Sequence, residues 1–388
     1  MRKVKLGDLV TVMNEREDNP SRSKYDRFVG LEHYDSGSIS ITRWGSTEML
    51  VSAMKVFHRG DILVARRNVY LKRASSVDFD GITSGDSIIL HVNDEQYKAI
   101  VPFVLNTDSF WDYADQHSDG SMSKRLAPKT MLEYEFTLPD DEEVERLSTL
   151  LWAMERTKTA YKNLIAKTDE LVKSQFVEMF GIPETGETEW PEYKLQTLLD
   201  MGWITYHLDG NHGSEYPRAH EFVESGVPYI SANCVVDGRI DFANAKYVTE
   251  ARANRFRKGI AENKDVLFAH NATVGPVAIL ETTEPRVILG TSLTAFRCNT
   301  EHILPEFLKA YLECPRFVRQ YEAEMQQSTR KQVPITTQRK YTIVVPDIDR
   351  QKEITRIMEQ SDKSKFAAQQ ALADLTATQK ALMRQYLG

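Results

Sequence analysis

Two hydrophobic patterns alternate along the chain, and each occurs twice. Short apolar runs fill the first part of each half: Ser38–Arg43, Asp61–Arg66 and Ser87–Val92, then Pro228–Ala232, Asp265–Ala269 and Leu293–Arg297. Runs of this length, bounded by turn signals such as Asp80-Gly81 and Asp237-Gly238, predict β-strands. Val101–Leu105 is also of core-strand length. After a Leu/Val-Pro-Asp boundary the period changes. From Leu147, residues alternately four and three apart read Leu147, Leu151, Met154, Lys158, Tyr161, Ile165, Thr168, Val172, Gln175 and Met179. The same frame in the second half reads Ile354, Met358, Ser361, Lys365, Ala368, Leu372, Leu375, Gln379, Leu382 and Tyr386. A mostly apolar heptad seam of this length predicts a helix of about 60 Å at 1.5 Å per residue. Asp140–Glu143 favour the positive end of the first helix dipole, and Gly181 and Pro183 are its stop signals.

The two halves are copies. Displaced by 207 positions, Phe110–Gly181 lies on Phe317–Gly388 without a gap. Lys124-Arg125-Leu126 falls on Lys331-Gln332-Val333, Tyr134 on Tyr341, and Leu138-Pro139-Asp140 on Val345-Pro346-Asp347. Upstream the register drifts, but Gly60–Arg66 resembles Lys264–His270, and Val4–Leu9 more weakly echoes Tyr193–Leu198. The period is too long for a solenoid, so the repeat unit is a domain followed by a helix.

These patterns predict an α+β chain. Residues 1–140 form a first head, 141–181 a long helix, 182–189 a linker, 190–347 a second head and 348–388 a second long helix. Each helix is longer than a domain of about 150 residues is wide. The expected arrangement therefore pairs the helices as an antiparallel coiled coil with pseudo-two-fold symmetry and one head at each end. The alternative is that each helix packs back on its own head. Off-seam residues such as Lys162, Lys173 and Glu178 face either partner subunits or water.

Composition narrows the class. Of 388 residues, 49 are Lys or Arg and 56 are Asp or Glu, a formal net charge of −7, which excludes a uniformly basic nucleic-acid coat but not a local basic face. No apolar run reaches the roughly 18 residues of a membrane helix, and no secretory signal is visible at the N-terminus. Cys234, Cys298 and Cys314 lack metal or disulfide spacing, so a reduced, cytoplasmic setting is expected. There is neither an Asn/Asp-Pro-Pro-aromatic methylase motif nor a GxxxxGK[ST] phosphate loop.

Two heads at a fixed separation suit a bipartite DNA site. The heads differ where Arg66-Arg67-Asn68 in one faces His270-Asn271-Ala272 in the other, so the expected half-sites are unlike. Over essentially its whole length the chain resembles the specificity subunit of a type I restriction–modification enzyme. Thr168–Gly181 resembles that family's central helix and Asp349–Lys363 the start of its C-terminal helix. Leu208–Pro217, Gly226–Val235 and Lys264–Gly275 resemble one version of its target recognition domain. Lys194-Leu195-Gln196 lacks the glycine usual at the head's opening strand, and the first head matches family patterns only faintly. The resemblance implies a non-catalytic subunit that reads an interrupted site in double-stranded DNA and binds no cofactor itself. It further implies two adenine methyltransferase subunits using S-adenosylmethionine, and two restriction subunits using ATP and Mg.

Candidate DNA contacts follow from local charge and loop position. In the first head they are Arg66, Arg67, Asn68, Tyr70, Lys72 and Arg73, with Lys124 and Arg125. In the second they are His212, Ser214, Tyr216, His270, Asn271 and Thr273, with Arg330 and Lys331. Basic residues suit phosphate and guanine, and an Asn amide can pair bidentately with adenine. Each also has a plainer reading as solvated surface or satisfied loop. His207, Asp209, Asn211 and His212 admit a metal-dependent phosphoesterase reading, but no further DxH or GDxxD ligands accompany them. A coiled-coil scaffold without DNA binding is the remaining alternative.

Overall fold

The computed structural model describes residues 2–120, 124–180, 186–211, 213, 216–326 and 331–388. The chain divides into two units, Met1–Leu164 with Ala367–Gly388, and Ile165–Phe366.

In the first unit the opening strand Arg2–Lys5 pairs antiparallel with the closing strand Glu135–Leu138. A helical turn, Leu6–Leu9, follows it. Strands Val10–Met13, Ser87–Val92, Ile62–Ala65 and Ala74–Ser76 then form a four-stranded sheet in that order. Ile62–Ala65 is buried on both faces, which explains its unbroken apolar sequence. A five-stranded sheet runs Arg16–Glu17, Met54–Phe57, Gly81–Thr83, Arg27–Val29, Gly45–Ser46, with Gly81–Thr83 and Arg27–Val29 parallel.

The second unit repeats this plan. Glu192–Lys194 pairs with Thr342–Val344, and the helix Leu195–Asp200 follows. The four-stranded sheet is Ile204–Asp209, Leu293–Cys298, Val266–Asn271, Thr273–Ile279. The five-stranded sheet is Phe222–Val223, Lys246–Val248, Val227–Ile230, Val287–Leu289, Ile260–Ala261, and again its central pair is parallel. Four strands of the five correspond between the heads; the fifth is added at opposite edges, Arg16–Glu17 in one and Phe222–Val223 in the other. Lys194-Leu195-Gln196 makes the same strand-to-helix step as Lys5-Leu6-Gly7, anchored by Leu195 N–H on Tyr341 O as Leu6 N–H is on Tyr134 O.

Two expected strands are not strands. Ser38–Arg43 makes a single parallel bridge, Ser40 to Ser76, through Ser76 N–H on Ile39 O and Ile41 N–H on Ser76 O, and the Ser75 hydroxyl rather than a further backbone N–H meets the Ser38 carbonyl. Val101–Leu105 begins with the buried helical turn Val101–Val104, which Pro102 opens from within its first turn.

The long helices span Asp141–Phe180 and Ile348–Leu387. Asp140 caps the first, its carboxylate accepting from Glu143 N–H at 3.1 Å. The expected stops Gly181 and Pro183 lie outside the described residues. Every seam position named above is buried or half-buried, while Lys162, Lys173 and Glu178 are exposed. In the first unit, Lys158 Nζ donates to Gln379 Oε1 at 2.8 Å, and Tyr386 lies within electrostatic reach of Arg146. The helix segments of that unit therefore run antiparallel. In the second unit, Lys365 Nζ meets Asp169 at 2.6 Å. The first long helix enters a head core at each end: Val144, Leu147, Leu151 and Met154 join that of the first unit, and Phe176 and Phe180 pack on Phe307 in the second.

Candidate nucleic-acid interface

Past its last ladder residue, the central strand Ile62–Ala65 continues into Arg66-Arg67-Asn68. Asn68 takes a left-handed backbone (φ 55°) that turns the chain away. Lys124-Arg125-Leu126 lies alongside: Leu126 N–H donates to Arg66 O at 2.8 Å and Asn68 N–H to Lys124 O at 3.0 Å. Arg67 and Arg125 are thereby directly opposed in an isolated antiparallel bridge. From the other side Arg66 N–H donates to Asp86 O at 2.9 Å.

The second head builds the same device. Val333 N–H donates to His270 O at 2.8 Å and Ala272 N–H to Lys331 O at 3.1 Å. Asn271 opposes Gln332 in the bridge, Ala272 is left-handed (φ 66°), and His270 N–H donates to Ser292 O at 2.9 Å. Backbone bonding thus equates Arg67, Arg125 and Asp86 with Asn271, Gln332 and Ser292. It also equates Lys124 with Lys331.

The first set is charged. The Asp86 carboxylate lies 3.7 Å from Arg67 Nη1 and 3.5 Å from Arg125 Nη2. Lys55 donates to Ser87 O at 2.9 Å; burial, then the charges of Arg66 and Arg16, pull its pKa below the ordinary lysine value. Arg67, Arg125 and Lys55 thus stand near the Asp86 carboxylate, with the charges of Arg66 and Arg16 close to Lys55, so cations outnumber acids here on a chain of net charge −7. The other candidates part from it. Lys124 pairs with Asp115 at 2.8 Å and Lys72 with Asp108 at 2.6 Å. Arg73 donates to the Leu31 and Arg67 carbonyls, bracing the loop from behind, and its burial lowers its pKa. Tyr70 is exposed.

The second set is neutral and backed by buried histidines. His207 donates from Nε2 to Gln338 Oε1 at 3.1 Å, while the Gln338 amide donates to Thr294 Oγ1 and Val333 O. Burial drives the His207 pKa down to about 4. His270 is buried too, with its pKa lowered chiefly by burial, and neither ring nitrogen has a hydrogen bond among the described residues. Asp209 pairs with Lys258 at 3.0 Å, and the Asn211 amide donates to the Lys258 and Leu289 carbonyls. A methyl group on Gly210 would overlap the Gly290 carbonyl, so the glycine between Asp209 and Asn211 is required by close backbone packing. Thr273 and Lys331 are exposed, and Tyr216 is an exposed ring set edge-on to Tyr229. His212, Ser214 and Arg330 lie outside the described residues.

Several residues of this surface were not singled out in the sequence: Arg16, Lys55, Asp86, Ser292, Gln332 and Gln338. Gln332 was within reach, since the displacement of 207 already set it on Arg125. Asp86 and Ser292 carry no such signal, because gaps between the heads obscure their equivalence.

A sequence model of the type I restriction modification DNA specificity domain matches residues 211–374. Residues 211–374 are thus similar to a type I restriction–modification DNA specificity domain. That domain contains the Asn271/Gln332 bridge, Ser292 and the neighbouring histidine His270, and its family is one of DNA specificity rather than catalysis. The whole fold is similar to a chain from a structure that explains complex assembly and conformational transition of the type I R-M system. The likeness covers 99% of this chain and 97% of that one, with a TM-score of 0.57 and 18% identity. It is also similar to the type I restriction-modification S subunit from M. genitalium, over 100% and 96% of the two chains, with a TM-score of 0.58 and 13% identity. No curated protein matches the chain in sequence. Among the described residues, no helix is long and apolar enough to cross a membrane.

Proposed function

We propose that the chain reads an interrupted sequence in double-stranded DNA, each head reading one half-site, and positions adenine methyltransferase subunits on it. Restriction subunits join the same complex. The observation that carries this reading is the twice-built bridge. An identical backbone device presents Arg67 and Arg125 in one head and Asn271 and Gln332 in the other, as expected of equivalent readers with unlike targets. The long helices support the partner part of the reading. Leu164 in the first unit, and Leu171, Val177 and Phe366 in the second, are exposed apolar side chains on helices whose seams are already packed. S-adenosylmethionine belongs to the methyltransferase partners, and ATP with Mg to the restriction partners.

The test is to purify the chain with its methyltransferase partner and map methylated adenines on random-sequence DNA by methylation-aware sequencing. The expected result is one bipartite motif with an unspecified spacer. Methylation without sequence preference, or stable assembly with no methylation, would overturn the reading.

A further inference from the structure

We infer that the opposed pairs are the base-selecting elements of the two heads: Arg67 with Arg125 selects guanine, and Asn271 with Gln332 selects adenine. This rests on the proposed DNA-reading function and adds the chemistry of the choice. Residues opposed in an antiparallel bridge project their side chains to the same face, with Cβ atoms roughly 5 Å apart. Each head therefore presents two polar side chains together, at the end of a central strand. The flanking residues differ from them: His270 is buried, the Arg66 Nε is buried, and Asn68 and Ala272 take the left-handed backbone that turns the chain.

The third member of each set argues for base reading over phosphate binding. In the major groove guanine offers two acceptors, O6 and N7, which an Arg fork matches; adenine offers an acceptor and a donor, N7 and N6, which a carboxamide matches. Two adjacent guanidiniums repel and swing freely unless a carboxylate holds them. Asp86 is within 3.7 Å of both. A loop needing only phosphate affinity gains nothing from an acid that cancels one of its charges. In the second head the paired residues are neutral amides, and the acid is replaced by Ser292, whose hydroxyl accepts from Ala232 N–H at 2.8 Å. All three positions change together between the copies, from Arg-Arg-Asp to Asn-Gln-Ser.

The experiment transplants the set in the assembled methyltransferase complex. Arg67→Asn, Arg125→Gln and Asp86→Ser are combined in the first head; the reciprocal Asn271→Arg, Gln332→Arg and Ser292→Asp are made separately in the second. Sequences retained from a random duplex library are read for each complex. The unaltered complex should require guanine in one half-site. The first variant should lose that requirement by about tenfold or more, the discrimination one bidentate contact carries, and leave the other half-site intact. The reciprocal variant should introduce a guanine preference in the other half-site, and it decides the matter alone if the first variant does not assemble. Uniformly weaker binding with an unchanged motif would assign the arginines to phosphate and overturn the inference while leaving DNA reading in place. An unaltered complex that selects no sequence would overturn the proposed function itself.

Discussion

His207 lies 4.6 Å from Phe296, centroid to centroid, with its Nε2–H on the Gln338 carbonyl. Its folded pKa, about 4, is below the ordinary 6.5, so the unfolded chain takes up the proton first as pH falls. Stability from this group is complete above about pH 6.5 and is lost progressively toward pH 4, by linkage on the order of a few kcal/mol. The lowered pKa of His270 acts in the same direction. Thermal unfolding followed from pH 7 to pH 4.5 should show the melting temperature falling, and His207→Gln, which can still donate to Gln338, should flatten the fall. An undiminished pH dependence in that variant would place the titrating group elsewhere. Beside the Asn271/Gln332 bridge, Lys331→Ala should lower the log–log salt slope of DNA binding by about 0.9 if the ammonium neutralises one phosphate. An unchanged slope in a salt titration of the complex would leave Lys331 as solvated surface. Individual charges were legible in the sequence, but their grouping was not. Lys72 and Arg73 stand in one cluster with Arg66 and Arg67 along the chain, yet with a left-handed turn on each side of Val69–Leu71 Lys72 ends on Asp108 and Arg73 lies behind the Arg67 carbonyl.

At the scale of elements, the long helices were the most legible, because a seam repeated over ten positions has one geometric solution. Its polar members are not defects. Lys158 and Lys365 are equivalent in the repeat, and each finds a polar partner on the other helix: Gln379 for one and Asp169 for the other. Gln379 is buried and also donates to Glu155 at 2.9 Å, so Gln379→Ala would remove one hydrogen bond from each member of the half-buried Lys158–Glu155 ion pair. A loss of about 1–3 kcal/mol is expected in urea unfolding of the complete chain. A loss below about 0.5 kcal/mol would show that water replaces the amide. The short strands were less legible, since a run such as Ser38–Arg43 has strand composition but pairs with its neighbour at a single bridge. Glycine Gly210 shows the reverse case, a motif whose physical reason is packing. Gly210→Ala should destabilise the second unit by more than about 2 kcal/mol, because its methyl meets backbone that cannot rotate away. Wild-type unfolding behaviour in that variant would mean the two backbones can separate at no cost.

For the whole molecule, the duplication itself was readable from the chain. The second head was expected to span 190–347. The second unit, however, buries Phe176 and Phe180 of the first long helix and Ile354 of the second in one cluster with Phe307, Leu308 and Tyr311 of the head. Burial of each aromatic ring is worth roughly 1.5–3 kcal/mol. Exchanging only Glu189–Asp347 for the head of another specificity subunit would therefore set these helix residues against an unmatched surface. Exchanging Ile165–Phe366 keeps the cluster whole, together with the Lys365–Asp169 pair. Both chimeras should change one half of the methylated motif and preserve the other. The larger exchange should melt close to the parent, whereas the smaller should melt lower unless the incoming head carries an aromatic residue at the position of Phe307. Methylation mapping reads the first expectation and calorimetry the second. Both half-sites altered by either exchange would mean that the heads do not read independently. Equal melting of the two chimeras, with a non-aromatic residue at that position, would mean that the helix ends contribute little to the head they enter.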